Sequence, residues 1–231
     1  MERSTEISAA KIVLRHGKRQ IINCSIVLLF FSACESKHTD IVQSLPYYNT
    51  ADFTALWPAE DHLSIDSIHT IQAFSFTDQD NQTISNQSLQ GKIYVVNFFF
   101  TSCGGICPKM IDNMKTVADT FKENGNIIFL SHSVTPEKDS VAVLKRYAEL
   151  HDIKSSQWHL LTGSSTAINT IARRSYFIEK LPGLSEDSTE FLHTENMVLV
   201  DRKGHIRGLY KGTLAVDATR LIEDINILLK E

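Results

Sequence analysis

The chain has 231 residues, of which 42% are hydrophobic and 22% are charged, a composition typical of folded globular proteins rather than disordered or fibrous ones. A formal net charge of −4, with no long run of basic residues beyond the N-terminal segment, gives no electrostatic basis for nucleic-acid binding. Four cysteines are too few for a scaffold built on disulfides, so their positions are more informative than their number.

The first 34 residues have the pattern of a secretory signal peptide. Four Lys and Arg residues between positions 11 and 19 precede an apolar stretch from Ile21 to Phe31, which is too short to span a bilayer. The stretch runs into Ser32-Ala33-Cys34, and this ending resembles the lipobox of bacterial lipoproteins, in which the cysteine is lipidated after the signal is removed. An uncleaved anchor and a plain signal peptide are the alternatives. All three place the rest of the chain outside the cytoplasm.

Residues 35–61 are polar and irregular, which predicts a tether between the membrane and a domain of residues 62–231. Hydrophobic periodicity and turn residues then predict the elements of that domain. They are a β-hairpin over 71–84, a buried strand over 93–100, a helix after Pro108, a strand over 127–130, a helix opened by Thr135-Pro136, a strand over 158–161, a helix capped by Ser164 or Ser165, a hairpin over 196–210 and a helix over 216–229.

Cys103 and Cys107 lie between the buried strand and a helix that Pro108 is well suited to begin. Proline disfavours helical geometry in the preceding residue, so we expect Cys107 at or near the N-cap, where free backbone N–H groups and the helix dipole favour its thiolate. Gly104 and Gly105 can adopt backbone angles that other residues avoid, which would fold Cys103 back towards Cys107. Two converging sulfurs can close a disulfide or chelate a soft metal. Two inert buried cysteines are the alternative.

The order of the elements predicts the fold class. A strand, a Cys-x-x-x-Cys loop and a helix are followed by a further strand and helix, a closing hairpin and a last helix. This is the arrangement of a thioredoxin-like fold. We therefore expect an α/β domain with a mixed central sheet, helices on both faces and an N-terminal β-hairpin extension.

A metal site with two cysteines needs further donors, and His193 is the candidate among nine histidines. It precedes the strand over 196–200, where thioredoxins carry the loop that faces the cysteine pair. It also ends a connection of about seventeen residues, and connections of that length are usually functional or mobile. Two thiolates and an imidazole suit Cu(I), and they could also hold Zn²⁺ with a water.

Together these residues resemble the Sco/SenC family, thioredoxin-fold copper chaperones of cytochrome c oxidase assembly. The resemblance extends from Ile68 to Leu229 and departs from the family pattern at two places. Many members have Asp or Glu between the cysteines, where this chain has Gly104-Gly105-Ile106, and many have Asp at the position of Thr135. The segments that carry the resemblance are Phe74-Ser-Phe-Thr-Asp78, Phe99-Phe-Thr-Ser-Cys103, Cys107-Pro108, Ser133-Val-Thr-Pro-Glu137, and His193 before Met197-Val-Leu-Val-Asp201.

The resemblance implies that Cys103, Cys107 and His193 bind copper, as Cu(I) or Cu(II). It implies delivery of copper to the binuclear copper centre of cytochrome c oxidase subunit II, or reduction of the cysteines of that centre. In an oxidising compartment the pair needs a reducing partner, which we expect to be thioredoxin-like. With a lipid on Cys34, the protein would be a periplasmic membrane-anchored lipoprotein.

Two other functions remain open. Cys103 and Cys107 could be the catalytic redox pair of a thiol–disulfide oxidoreductase without a role in copper delivery. The chain could also be a binding module with a structural disulfide.

Overall fold

The computed structural model describes residues 44–154, 156–178 and 194–231, so Cys34 and His193 lie outside the described residues. No helix within these ranges is long and apolar enough to cross a bilayer. The elements, numbered in chain order, are β1 (Tyr47–Tyr48), β2 (Ala55–Leu56), β3 (Ser75–Thr77), β4 (Thr83–Ser85), β5 (Ile93–Phe99), α1 (Cys107–Thr120), β6 (Ile127–Ser133), α2 (Val141–Leu150), β7 (Trp158–Leu161), α3 (Ser165–Arg174), β8 (Asn196–Val200), β9 (Ile206–Lys211) and α4 (Ala215–Leu228).

Seven of these strands form one mixed sheet in the order β2-β1-β9-β8-β5-β6-β7, and β3 pairs with β4 in a separate hairpin. The pairs β5–β6 and β6–β7 are parallel, and the other neighbours in the sheet are antiparallel. Every residue of β5 is buried, which explains why its sequence is an almost continuous apolar run rather than an alternating one. The predicted α/β class, with a mixed sheet and a leading hairpin, is confirmed.

Alternate side chains of β5 enter two separate cores, because successive residues of a strand point to opposite faces. Ile93, Val95 and Phe99 pack with residues of α1, α2 and α4 on one face. Tyr94 and Phe98 pack on the other face with residues of α3 and of the β3–β4 hairpin. Helices therefore cover both faces of the sheet, as predicted.

Strands β1 and β2 correct the predicted tether. Tyr48 pairs with Ile206 of β9, and β2 pairs with β1, so residues 47–56, which the sequence assigned to the tether, belong to the sheet. The buried guanidinium of Arg207 holds this segment by donating to the carbonyl oxygens of Leu45, at 2.8 Å, and Pro46, at 3.1 Å. A strand of two residues is too short to produce a hydrophobic period, which is why the sequence did not reveal it.

Helix α2 begins later than predicted. The sequence placed its start at Thr135-Pro136, but the helix starts at Val141. Between these points the chain turns, with the N–H groups of Lys138 and Asp139 both donating to the carbonyl of Thr135 at 2.9 Å. The turn directs the side chain of Asp139 into the protein, where it is buried.

Candidate functional site

Cys103 and Cys107 converge where β5 ends and α1 begins, and both are free thiols. The N–H of Cys103 donates to the carbonyl of Phe100 at 3.2 Å, so the chain turns directly after the strand. Cys107 is 3% exposed and belongs to the core, whereas Cys103 is partly exposed. The two thiols lie close enough to shift each other's pKa. The predicted convergence of the two sulfurs is confirmed.

The surroundings shift the pKa values of the two thiols in opposite directions. Burial alone would raise the pKa of Cys103, but hydrogen bonds from the Cys107 thiol and from the backbone N–H groups of Cys107, Gly105 and Ile106 outweigh it and lower that pKa. Burial, followed by the hydrogen bond with Cys103, raises the pKa of Cys107 to about 12.

The predicted preference of Cys107 for the thiolate is therefore wrong. Cys107 is the first residue of α1, and Ile106 occupies the N-cap position. The free N–H groups at the start of the helix point to the sulfur of Cys103, which comes from the preceding loop. The helix start thus stabilises a thiolate, as expected for this environment, but on the other cysteine.

The two glycines of the loop do not have the role predicted for them. Neither Gly104 nor Gly105 has a positive φ. A Cβ atom added to either would meet no atom within 4 Å. The loop therefore brings the cysteines together without the backbone angles that only glycine adopts easily.

Two aromatic residues form the inner wall beside the thiols. Phe100 and Tyr147 are partly buried and pack against the core that contains Cys107. The ring of Tyr147 lies 5.4 Å from that of Phe99, between centroids. Burial, and then the negative charge of Cys107 and Cys103, raises the pKa of Tyr147. Tyr147 was not among the site residues that the sequence predicted.

A buried carboxylate that the sequence analysis missed lies behind the loop. Asp139 is 1% exposed. It accepts hydrogen bonds from the N–H of Thr101 at 3.2 Å and the hydroxyl of Thr101 at 2.5 Å. It also accepts from the hydroxyls of Ser133 at 2.6 Å and Thr135 at 3.0 Å. The only sequence signal was a Ser, a Thr and an Asp after a strand, a pattern too common to identify such a cluster.

A third metal ligand is not found among the described residues. Within residues 44–154, 156–178 and 194–231, no group of three His, Cys, Asp or Glu side chains could hold a metal ion. His193, the predicted third ligand, lies outside these ranges.

The described chain that follows His193 is attached to α1. The carbonyl of Glu195 accepts from the N–H of Gly212 at 2.6 Å, and its carboxylate accepts from the hydroxyl of Thr213 at 2.6 Å. The carbonyl of Gly212 in turn accepts from the side-chain amide of Asn113 in α1 at 2.7 Å. The segment that begins at residue 194 is therefore connected to the helix that starts with Cys107.

Comparison with known proteins identifies relatives of this domain. The SCO1/SenC family model matches residues 64–230. Among solved structures, a SCO1/SenC family lipoprotein from Bacillus anthracis str. Ames is similar, with a TM-score of 0.61, 28% identity, and coverage of 70% of this chain and 95% of that chain. BsSco, a member of the Sco family of cytochrome c oxidase assembly proteins in which a disulfide switch was identified, has a TM-score of 0.58, 29% identity, and coverage of 68% and 92%.

A third similar structure is that of ScoI from Arabidopsis thaliana with copper bound. Its TM-score is 0.55 at 25% identity, with coverage of 69% of this chain and 98% of that chain. The fold that this chain shares with the Sco proteins confirms the predicted thioredoxin-like class.

Proposed function

Because the chain belongs to the SCO1/SenC family, we propose that it binds copper through Cys103, Cys107 and His193 and acts in the assembly of cytochrome c oxidase. The observation that carries the proposal is the pair of free, converging thiols at the start of α1. Thiolates are the ligands that Cu(I) prefers. One relative, ScoI from Arabidopsis thaliana, has been crystallised with copper bound, and another, BsSco, belongs to a family of cytochrome c oxidase assembly proteins.

The unequal thiols give an order to copper capture. Cys103 is partly exposed and its thiolate is stabilised by backbone N–H groups, so it meets incoming copper first. Cys107 is buried and holds its proton more tightly, so it releases that proton only as it binds the metal. Transfer to the binuclear copper centre of oxidase subunit II would then proceed by stepwise exchange of ligands.

The attachment of Glu195 to α1 supports His193 as the third ligand. Glu195 is held by Gly212, and a Cβ atom on Gly212 would lie 2.6 Å from Cγ of Met110 in the first turn of α1. The described chain that begins at residue 194 is therefore attached beside the first turn of α1, the turn that starts with Cys107.

A second function of the same thiols is favoured by their asymmetry. In thiol–disulfide exchange one thiolate attacks and a second thiol resolves the mixed disulfide. Cys103 has the exposure and lowered pKa of an attacking thiol, and the buried Cys107 is placed to resolve. Reduction of cysteines in the oxidase copper centre, with a thioredoxin-like protein as the reductant, is therefore compatible with copper binding by the same pair.

The proposal extends to the location of the protein. The lipobox-like ending at Cys34 and the similarity to a Bacillus anthracis lipoprotein support a domain held outside the cytoplasm by a lipid on Cys34. Mass spectrometry of the mature N-terminus tests this directly. A chain that begins with a diacylglyceryl cysteine at position 34 is expected, and one that keeps residues 1–33 contradicts it.

Anaerobic titration of the reduced mature chain with Cu(I), against a competing chelator, tests the central proposal. We expect one tightly bound Cu(I) per chain, and a loss of affinity of about 10- to 100-fold in His193→Ala. The exposed His62 provides the matched control, and His62→Ala should bind as the wild type does. No specific binding, with a Cys103–Cys107 disulfide that forms and exchanges readily, would leave only the oxidoreductase. An unaltered affinity in His193→Ala would remove His193 from the site.

A further inference from the structure

The carboxylate of Asp139 is buried and has hydrogen-bond donors but no cationic partner among the described residues. A buried charge is costly unless hydrogen bonds compensate for the lost water. Here two of the four donors come from a single residue, Thr101, which stands two positions before Cys103. We propose that Asp139 is a positioning residue of the thiol pair, which fixes the loop of Cys103 and Cys107 against the end of β6.

The link from Asp139 to both cysteines passes through the backbone of Phe100. Its N–H group hydrogen-bonds to the sulfur of Cys107, and its carbonyl accepts from the N–H of Cys103 at 3.2 Å. The orientation of Phe100 therefore helps to set the position of the two cysteines relative to each other.

Phe100 is held on both sides. On one side the carbonyl of Phe99 accepts from the N–H of Val134 at 2.9 Å, which continues the pairing of β5 with β6. On the other side β5 has ended, and the two hydrogen bonds from Thr101 to Asp139 take the place of strand pairing. Without Asp139, the chain directly after Phe100 would lose both of these hydrogen bonds, and the positions of the two cysteines relative to each other would change.

The geometry indicates that the hydrogen bonds, rather than the charge, are what position the loop. Oδ2 of Asp139 accepts from the Thr101 N–H and from the hydroxyls of Ser133 and Thr135. Among the described residues, the one donor to Oδ1 is the Thr101 hydroxyl, which can rotate and accept instead. An asparagine at position 139 could keep all four links, with its oxygen in the place of Oδ2 and its amide donating to Thr101. Alanine would remove all of them.

The test is the selectivity of alkylation of the reduced, metal-free full chain in detergent. Iodoacetamide is applied in a time course, and mass spectrometry gives the ratio of the rate constants of Cys103 and Cys107. We expect the ratio to change about tenfold in Asp139→Ala, the size of effect that follows loss of a supporting hydrogen-bond partner. The equilibrium of the disulfide with glutathione should shift by a similar factor, which is about 30 mV for a two-electron couple. Asp139→Asn should restore both values towards those of the wild type.

Asp78 provides the matched control, because it is also a 1% exposed carboxylate that accepts several hydrogen bonds, but in the turn between β3 and β4. Asp78→Ala should weaken the fold and leave the ratio unaltered. Thr101→Val removes one donor without removing the carboxylate, and it carries the test if Asp139→Ala does not fold. A wild-type ratio in folded Asp139→Ala or in Thr101→Val would overturn the proposal, as would an Asp139→Asn ratio displaced as far as that of Asp139→Ala.

These measurements are made without copper. A failure here leaves the proposed copper binding intact, and a failure of copper binding leaves this result intact.

Discussion

His132 and Ser133 are neighbours on β6, so their side chains lie on opposite faces of the sheet. The two polar side chains differ in whether they have hydrogen-bond partners there. Ser133 donates to Asp139, and this cluster has a partner for each of its polar groups. His132 is 0% exposed, and neither ring nitrogen has a hydrogen-bond partner among the described residues. Its neighbours are four aromatic rings with centroids 5.2 to 6.1 Å away: Phe74, Phe76, Phe98 and Tyr176.

The comparison separates two uses of a buried polar group. A group with good partners costs little stability and fixes one geometry, whereas a group without partners costs about 1–3 kcal/mol. The face of Ser133 is also the face of the thiol pair, so the protein has its compensated polar cluster where a precise arrangement is needed. His132 gives no such arrangement, and burial lowers its pKa to about 3. We therefore expect opposite changes in the free energy of unfolding when Asp139 and His132 are each replaced by an apolar residue.

Asp139→Ala should have the largest effect on stability. It leaves the N–H of Thr101 and three hydroxyl groups without their common acceptor in a buried place. Breaking a buried network of this kind gives losses at the upper end for point mutants, and we expect a fall of about 4 kcal/mol in the free energy of unfolding. Urea denaturation at pH 7 measures it. A fall of less than about 1 kcal/mol would show that the cluster contributes no more than one ordinary hydrogen bond.

His132→Phe should raise the free energy of unfolding by about 2 kcal/mol, because it replaces an uncompensated polar ring with an apolar ring of similar size. His159 on the adjacent strand β7 gives the matched control. Its Nδ1 lies 2.9 Å from the carboxylate of Asp78, so His159→Phe should lower stability. The same urea denaturation compares the two variants. If both variants were destabilised, His132 would have a partner after all, and the contrast between the two faces would fail.

The pH dependence of stability sharpens the same contrast. The pKa of His132 is about 3 in the folded chain against 6.5 as its ordinary value, so below pH 6.5 the unfolded chain binds a proton that the folded chain does not. As the pH falls below 6.5, this group should therefore lower the free energy of unfolding by about 1.4 kcal/mol for each pH unit. Above pH 6.5 the group should not change the free energy of unfolding with pH.

Urea denaturation at several pH values between 7 and 4 measures this dependence in the wild type and in His132→Phe. The acidic residues common to both chains contribute equally, so the difference between the two curves isolates the histidine. That difference should widen as the pH falls. Parallel curves would contradict the assignment.

The sequence predicted the elements around the thiols because their signals are local. An apolar run, a Cys-x-x-x-Cys loop and Pro108 together predict a strand, a turn and a helix start, and of the two candidate caps of α3, Ser164 and Ser165, the cap is Ser164. The roles of Cys103 and Cys107 as thiolate and thiol could not be predicted in the same way. They depend on which sulfur lies in front of the N–H groups of α1, and residue types do not encode that direction.

The features that were missed depend on contacts between distant parts of the chain. In the sequence, nothing distinguishes Asp139 from other polar residues near a helix start. Its proposed role in positioning the cysteine loop becomes visible only from its hydrogen bonds to Thr101. The sequence predicted a strand that ends at residue 130, but β6 continues to Ser133, and the ring of His132 is enclosed by residues from the β3–β4 hairpin and from after α3. His193 and Cys34 remain predictions, since both lie outside the described residues.

Thr135→Val should have the smallest effect, although Thr135 donates to the same carboxylate as Thr101. Asp139 would keep its three other donors. The N–H of residue 135 would still donate to the hydroxyl of Ser133, a bond that is 3.1 Å long in the wild type. We expect a loss of about 1 kcal/mol in the free energy of unfolding, the contribution of one hydrogen bond. Thr135→Ser, which keeps the hydroxyl, is the control for the change in shape.

The alkylation ratio of Cys103 and Cys107 decides what this small loss means. Thr135 follows β6, whereas Thr101 directly follows Phe100, whose carbonyl accepts from the N–H of Cys103. Of the two residues, Thr101 is therefore the one that connects Asp139 to Phe100. Thr135→Val should therefore leave the ratio as in the wild type, even though it removes a bond to the same oxygen. A ratio altered as strongly as in Thr101→Val would mean that the polar cluster acts on the cysteines as a whole, and not through the one residue that connects it to their loop.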